Sequence, residues 1–242
     1  MIRKLLVHPR VSPLLVGVFL ALPTFITAAI YRIVRSCWVV DPRRESFDQI
    51  FSSLATSGIE GDYLEFGVYR GSSFIQAYQM AQKYGLAEMR FFAFDSFQGL
   101  PEAEGKTFDE GEFQCSRPLF TKIVQKAGVD LDKVMVVEGF YQDSLQNQVK
   151  VSNDLKRAAL IHVDCDLYVS TKEVLRFVQD LLQPGCIIVM DDWHTFEAAD
   201  APDNPEQFGE PKAFEEWTES PRFDVIYDTG HGKAFVMREE VA

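Results

Sequence analysis

Four aspartates close two apolar runs of this chain, and their spacing bounds the chemistry available to it. In IHVDCDLY (161–168) they are Asp164 and Asp166; in IIVMDDW (187–193) they are Asp191 and Asp192. Each run is short, apolar and β-branched, the pattern of a strand buried on both faces of a parallel sheet. A segment of helix length separates them. In open α/β sheets ligands bind outside the carboxyl ends of the strands, so the four carboxylates should converge on one edge. Two carboxylates about 4 Å apart repel by roughly 4 kcal/mol at an effective dielectric near 20. Such a cluster must bind a cation, hold protons or splay apart. Oxygen-only donors suit a hard divalent cation, Mg2+ first, with Ca2+ or Mn2+ as alternatives. The plainer alternative is that Asp191 and Asp192 only cap the helix or turn that follows.

A second group of residues surrounds a glycine turn. In GDYLEFGVYRGSS (61–73) a strand runs into Glu65, Gly67, Gly71 and Ser72 and then into a helix. The glycines let backbone approach a ligand closely, and the helix N-terminus faces it. The spacing is not GxGxxG, and an ordinary strand–turn–helix corner has the same look. Asp95 ends the next strand roughly thirty residues after Glu65, where an acidic residue accepts hydrogen bonds from ribose hydroxyls. Ser96 beside it adds a hydroxyl.

Positioning these groups takes a regular alternation of elements. Helical spacing covers 46–58, 73–85, 117–128, 170–185 and a segment around 211–217. Strand patterns open 61–73 ahead of its glycine turn and cover 89–97, 133–140, 158–164 and 186–192, and then 223–229 and 233–239 joined by a GHG turn. The last pair reads as an antiparallel hairpin. The sum is an α/β, Rossmann-like, mostly parallel seven-stranded sheet with helices on both faces, ending in a C-terminal antiparallel hairpin that supplies a reversed edge strand.

Composition narrows the partners. The 242 residues carry a formal charge of −12, which argues against nucleic acid, whose phosphates want a basic face. The four cysteines, Cys37, Cys115, Cys165 and Cys186, have no zinc-like spacing. Cys165 and Cys186 belong at opposite ends of neighbouring strands and should not meet. Reduced thiols and a cytoplasmic catalytic domain are the expectation. Residues 1–40 differ from the domain at 41–242: Val11 to Tyr31 contains no charged residue and is flanked by Arg3, Lys4, Arg10, Arg32 and Arg35. That length suffices to cross a bilayer. It reads as a membrane anchor or re-entrant segment, a cleaved signal peptide, or a helical extension packed on the domain or on a second subunit of a homodimer. Pro13 and Pro23 kink any helix there and favour a membrane-surface or packed element, with membrane association the preferred reading.

The segments LEFGVYRGSS (64–73), FDSFQGLPE (94–102), EGFYQDSL (138–145), HVDCDLY (162–168) and MDDW (190–193), in this order on this sheet, resemble the macrocin O-methyltransferase family. Its members are S-adenosylmethionine (SAM)-dependent enzymes that methylate sugar hydroxyls in macrolide and aminocoumarin biosynthesis. The resemblance runs from about Arg43 to Arg238. It implies SAM as cofactor, Asp143 and Ser144 near the adenine, and a metal on Asp164, Asp191 and Asp192 that chelates two neighbouring substrate oxygens. A sugar hydroxyl is a poor nucleophile at neutral pH, so lowering its pKa is the main task. Asp166, outside that ligand set, is the expected general base, and His194 is the second choice because imidazole titrates near working pH. His162 reads as a satisfied core residue and His231 as solvent-exposed.

Three other readings compete. A catechol-like acceptor also offers two adjacent oxygens. An NAD(P)-dependent oxidoreductase would share the first turn, but it does not need the aspartate cluster, and Tyr168 with Lys172 only mimics a Tyr-x-x-x-Lys pair. A membrane-tethered scaffold without activity conflicts with the complete acidic set. The acceptor is a small-molecule or glycan hydroxyl in the favoured reading.

Overall fold

Short apolar strands that are dry on both faces build the centre of the molecule. The computed structural model describes residues 42–101, 110–194, 209–217, 223–229 and 231–238. β1 (Asp62–Phe66), β4 (Ala158–Val163) and β5 (Ile187–Met190) are buried at every position. β2 (Phe91–Asp95) is buried up to its last residue, and β3 (Val134–Glu138), at the sheet edge, is only half-covered. β6 (Phe223–Asp228) and β7 (Lys233–Met237) complete one seven-stranded sheet in the order β3-β2-β1-β4-β5-β7-β6. β1 to β5 are parallel, with Glu65 beside both Ala93 and His162, and His162 beside Val189.

One feature of the hairpin differs from the sequence reading. β7, the reversed strand, is not the edge. It lies between β5 and β6, antiparallel to both, and β6 is outermost. The consequence is that the turn leading into β7 arrives beside the carboxyl end of β5.

Two apolar layers flank the sheet, as strand alternation requires. Tyr63, Leu160, Ile187 and Val189 face a cluster that includes Phe47, Ile50 and Phe51 of α1 (Pro42–Ser57), Phe74 and Ala77 of α2 (Ser72–Lys83), and Phe120 and Val124 of α3 (Arg117–Lys126). Leu64, Phe66, Ile161, Val163, Ile188 and Met190 face the other, with α6 (Tyr168–Val178) and α7 (Gly209–Trp217). Two short helices, α4 (Tyr141–Ser144) and α5 (Asn147–Ser152), are too brief for a periodic signal in sequence. The helix expected over 170–185 ends at Val178 and tightens into a 3-10 turn at Gln179–Leu181.

Strand order reverses between β1 and β4, and a crevice at such a switch point opens at the carboxyl ends. The two ends almost touch there: a Cβ on Gly67, whose φ is +88°, would lie 1.8 Å from the Asp164 carbonyl oxygen. Arg43–Ala242 forms one compact unit. The segment 11–31, on which the membrane, signal-peptide and second-subunit expectations rest, lies outside the described residues. Among the described residues no helix is long and apolar enough to cross a membrane. Cys115, Cys165 and Cys186 are buried free thiols.

Candidate active site

The glycine turn after β1 is held by Asp95. Its Oδ2 accepts the Val68 and Tyr69 amides at 2.9 and 3.1 Å, and its Oδ1 accepts the Phe97 amide at 2.7 Å. Burial raises the Asp95 pKa, and those three amides oppose the rise. The carboxylate expected to meet a ribose is therefore also the clamp that shapes the turn. Gly71 caps α2 in the left-handed region (φ +76°), and a Cβ there would press on Val124 and Phe120. Ser72 is exposed on the first turn of that helix. Ser96 donates to the Gly99 carbonyl (2.7 Å) and accepts the Gln98 amide (3.0 Å), so its hydroxyl stabilises its own loop. Asp143 is exposed on α4, whereas the Ser144 hydroxyl donates to the Gly139 carbonyl at 3.0 Å.

Glu65 departs from expectation. It is fully buried, and its carboxylate accepts the Ser73 hydroxyl at 2.5 Å and the Tyr63 hydroxyl. Behind it stands His162, also fully buried, with Nδ1 3.8 Å from Glu65 and Nε2 3.3 Å from Asp191 Oδ1. The alternation of β1, β4 and β5 puts Glu65, His162 and Asp191 on one face. Burial opposes a charged imidazole, yet the hydrogen bonds and charges of Asp191 and Glu65 outweigh it and hold the His162 pKa at about 10. With no exposed surface, Glu65 lies behind the cleft, beside the His162 ring whose Nε2 faces Asp191. His162 is satisfied, as expected, but it is a charged link between two carboxylates.

The acidic edge gathers as foreseen and contains more than was foreseen. Asp164 is half-buried, and Asp191 and Asp192 are nearly enclosed. Asp166 takes a left-handed backbone (φ +58°), a conformation that aspartate tolerates better than most side chains. That turn brings its carboxyl onto Asp192. Burial first, then the Asp192 charge and their shared hydrogen bond, lift the Asp166 pKa to about 8. Glu210, on the first turn of α7, is a fifth carboxyl that the sequence did not reveal. It is fully buried and accepts the Cys165 amide at 3.3 Å and the Asp192 amide at 3.0 Å, tying the ends of β4 and β5 together. Burial and the neighbouring aspartates push its pKa far above the ordinary carboxylate range.

Among the described residues, two sets of ligand atoms each close to within 4.8 Å: His162, Asp164 and Asp191; and Asp191, Asp192 and His231. The three expected metal aspartates thus meet through Asp191, with a histidine in each set. His162 is a poor ligand, because both its nitrogens are already engaged, Nε2 by Asp191 Oδ1 at 3.3 Å and Nδ1 by the Tyr63 hydroxyl at 3.4 Å. His231 is different: its Nε2 lies 3.8 Å from Asp191 and 3.7 Å from Asp192. It is half-exposed, as expected of a turn, yet it faces the acidic pair because β7 enters beside β5. His194, the second choice for base, points instead at Asp228, 3.1 Å away. Tyr168 donates to Glu216, and Lys172 lies over its ring, so these two are not arranged as an oxidoreductase pair.

Comparison with known proteins agrees with this layout. The macrocin O-methyltransferase profile matches residues 36–208. A tetracenomycin-glycoside 4'-O-methyltransferase of Streptomyces olivaceus is 27% identical over 169 residues, 66% of this chain and 63% of that protein. Mycinamicin III 3''-O-methyltransferase of Micromonospora griseorubida is 26% identical over 163 residues, 62% of each. The chain thus spans less than two thirds of these relatives' lengths. The fold matches the calicheamicin methyltransferase CalS11 (TM-score 0.68, 21% identity, 98% of this chain and 90% of that one). It also matches the O-methyltransferase NovP (TM-score 0.66, 19% identity, 81% and 80%). With its glycine turn, acidic strand ends and profile match over most of its length, the chain belongs to the macrocin O-methyltransferase family.

Proposed function

We propose that this protein transfers the methyl group of SAM to a hydroxyl of a sugar or glycoside, with help from a divalent cation. The observation that carries the reading is the meeting of two features at one switch point. The first is a turn built on Gly67, Gly71 and Asp95 that leaves backbone open to a nucleotide-like cofactor. The second is the Asp164, Asp166, Asp191 and Asp192 cluster on the neighbouring strand ends. The donor set fits a hard cation: Asp191 turns its buried Oδ2 toward His231 while its Oδ1 faces His162, and Asp164 and Asp192 flank it.

SAM would supply an electrophilic methyl group, whose in-line displacement needs chiefly a positioned and deprotonated oxygen. A divalent cation on Asp164, Asp191 and Asp192 would acidify a hydroxyl bound to it and offset the Asp192 charge that, after burial, raises the Asp166 pKa. The chain's own residues do the rest. Asp166, as a carboxylate, takes the hydroxyl proton. Asp95 holds the turn and offers its remaining acceptor capacity to a ribose, while Ser72, Asp143 and Ser144 line the cofactor side. The pinning of His194 by Asp228 favours Asp166 as base.

The test is methyl transfer from labelled SAM to a panel of glycosides and diphenols, read by mass spectrometry with and without EDTA. Methylated glycosides, lost in chelator and restored by Mg2+, are expected. Transfer to diphenols alone would move the acceptor to catechols, and undiminished transfer in EDTA would remove the cation. Binding of NADH in place of SAM would overturn the reading altogether.

A further inference from the structure

The turn before β7 is built with more care than a solvent loop requires. Thr229 Oγ1 accepts the His231 amide at 3.0 Å and the Gly232 amide at 2.7 Å, and donates to the Gly232 carbonyl at 3.0 Å. The His194 amide donates to the His231 carbonyl at 2.8 Å, stitching the turn to the segment after β5. Gly232 lies so close to β5 that a Cβ would stand 2.7 Å from the carbonyl oxygens of both Met190 and Asp191. Only glycine permits that approach, and its effect is to set the preceding side chain, His231, against the two aspartates.

Asp191 then stands between two imidazoles. Its Oδ1 faces His162 from behind, and its Oδ2 faces His231 Nε2 across 3.8 Å, with Asp192 Oδ1 3.7 Å from the same nitrogen. Donor atoms about 2.1 Å from a shared ion lie about 3.0 Å apart at right angles and about 4.2 Å apart when opposite. Both observed separations fall between those limits, so an ion can be shared without moving the backbone. Half of His231 remains open to solvent, which leaves a path for the ion.

We propose that His231 supplies a nitrogen ligand to the divalent cation at Asp191 and Asp192, and thereby shifts the site's preference from Mg2+ toward Mn2+. The inference rests on the cation reading given above. Imidazole adds little for Mg2+, which favours oxygen, and more for first-row transition ions.

The experiment uses the full chain with Mn2+ and Mg2+ alone as probes, comparing wild type, His231→Gln and Asp192→Asn. Calorimetry gives both affinities, and pulsed electron paramagnetic resonance of bound Mn2+ detects a directly coordinated nitrogen. In wild type, a 14N modulation and at least a tenfold preference for Mn2+ are expected. In His231→Gln the modulation should vanish and the preference should fall toward parity, with Mg2+ affinity little changed. Asp192→Asn should lose both ions. Mn2+ bound without nitrogen modulation, or with the same modulation and preference in His231→Gln, would overturn the role of His231 and leave the cation standing. No Mn2+ or Mg2+ binding in wild type would overturn both. A circular-dichroism melt of His231→Gln matching wild type excludes misfolding as the cause, and Ala in place of Gln repeats the test without a new amide.

Discussion

Replacing His162 by glutamine keeps two hydrogen-bonding ends on a fully buried side chain and removes one positive charge from between Glu65 and Asp191. The imidazole nitrogens lie 3.3 Å from Asp191 and 3.8 Å from Glu65. At an effective dielectric near 20 those separations correspond to about 5 and about 4 kcal/mol of gross attraction, which desolvation offsets in large part. A net figure comes from the proton. A rise in the His162 pKa from 6.5 to about 10 favours the folded state by about 5 kcal/mol. Removing one partner of a buried pair costs about 3–5 kcal/mol, in the same range. Because the folded-state value is raised, this stabilisation is complete below about pH 6.5 and is lost as pH climbs toward 10. Urea unfolding of wild type and His162→Gln in EDTA should therefore give a difference of about 3–5 kcal/mol at pH 6.5. By pH 9 it should shrink to about 1 kcal/mol. Adding Glu65→Gln to His162→Gln should recover part of the loss, since one carboxylate then no longer lacks its cation. A difference that stays flat from pH 6.5 to 9, or never exceeds about 1 kcal/mol, would mean that the ring is neutral and the network only packs.

Three further variants test the cleft itself. Asp166→Asn retains a residue that tolerates the left-handed backbone at φ +58°, so the fold should survive while turnover falls by roughly 10²–10⁴ and SAM and metal affinity hold. Asp164→Asn should instead weaken metal binding first, and a near wild-type Asp166→Asn enzyme would show the base to be another group. Asp95→Ala should weaken SAM binding at least tenfold, about 1.4 kcal/mol. It should also lower the melting temperature, because the Val68, Tyr69 and Phe97 amides lose their acceptor; unchanged calorimetric affinity would refute the ribose assignment.

Much of this was legible in the chain because period-2 alternation and strand-ending aspartates are local signals. The parallel core, the glycine turn and the convergence of Asp164, Asp166, Asp191 and Asp192 follow from them. What was not legible depends on distance along the chain or on order within the sheet. Glu210 reaches the Cys165 and Asp192 amides from a helix far along the sequence, and nothing in GEPKAFEEW marks its second residue as buried. His231 faces the aspartates only because β7 inserts between β5 and β6, and a hairpin pattern does not say which of its strands lies inside. Glu65 followed a glycine-turn pattern that made it a ligand contact. Its parity on β1, matched to His162 and Asp191 once the register is known, makes it a buried counter-charge instead.

The carboxyl ends of β1, β2 and β4 each carry a non-glycine residue in the left-handed region just beyond them: Tyr69 at φ 42°, Phe97 at 55° and Asp166 at 58°. Such conformations cost of order 1–3 kcal/mol each. Burial first, and then repulsion among the stacked carboxyls at the same edge, lift Asp166 and Glu210 out of their usual range. Three of the five such non-glycine residues among the described residues, and the stacked carboxyls, fall on the rim of the sheet that faces the crevice, while the strands beneath it are buried throughout. A rim selected for stability alone would shed the strain and disperse the charge. Here Asp95 and Glu210 use buried carboxyl groups to hold backbone amides in place around it, and His162 commits a buried ring to fixing one oxygen of Asp191. The other oxygen of Asp191 is left facing Asp192 and His231, where a cation would replace the repulsion with attraction. The concentration of strain and like charge on that rim, set on a rigid base, is therefore the physical reason to place the chemistry there.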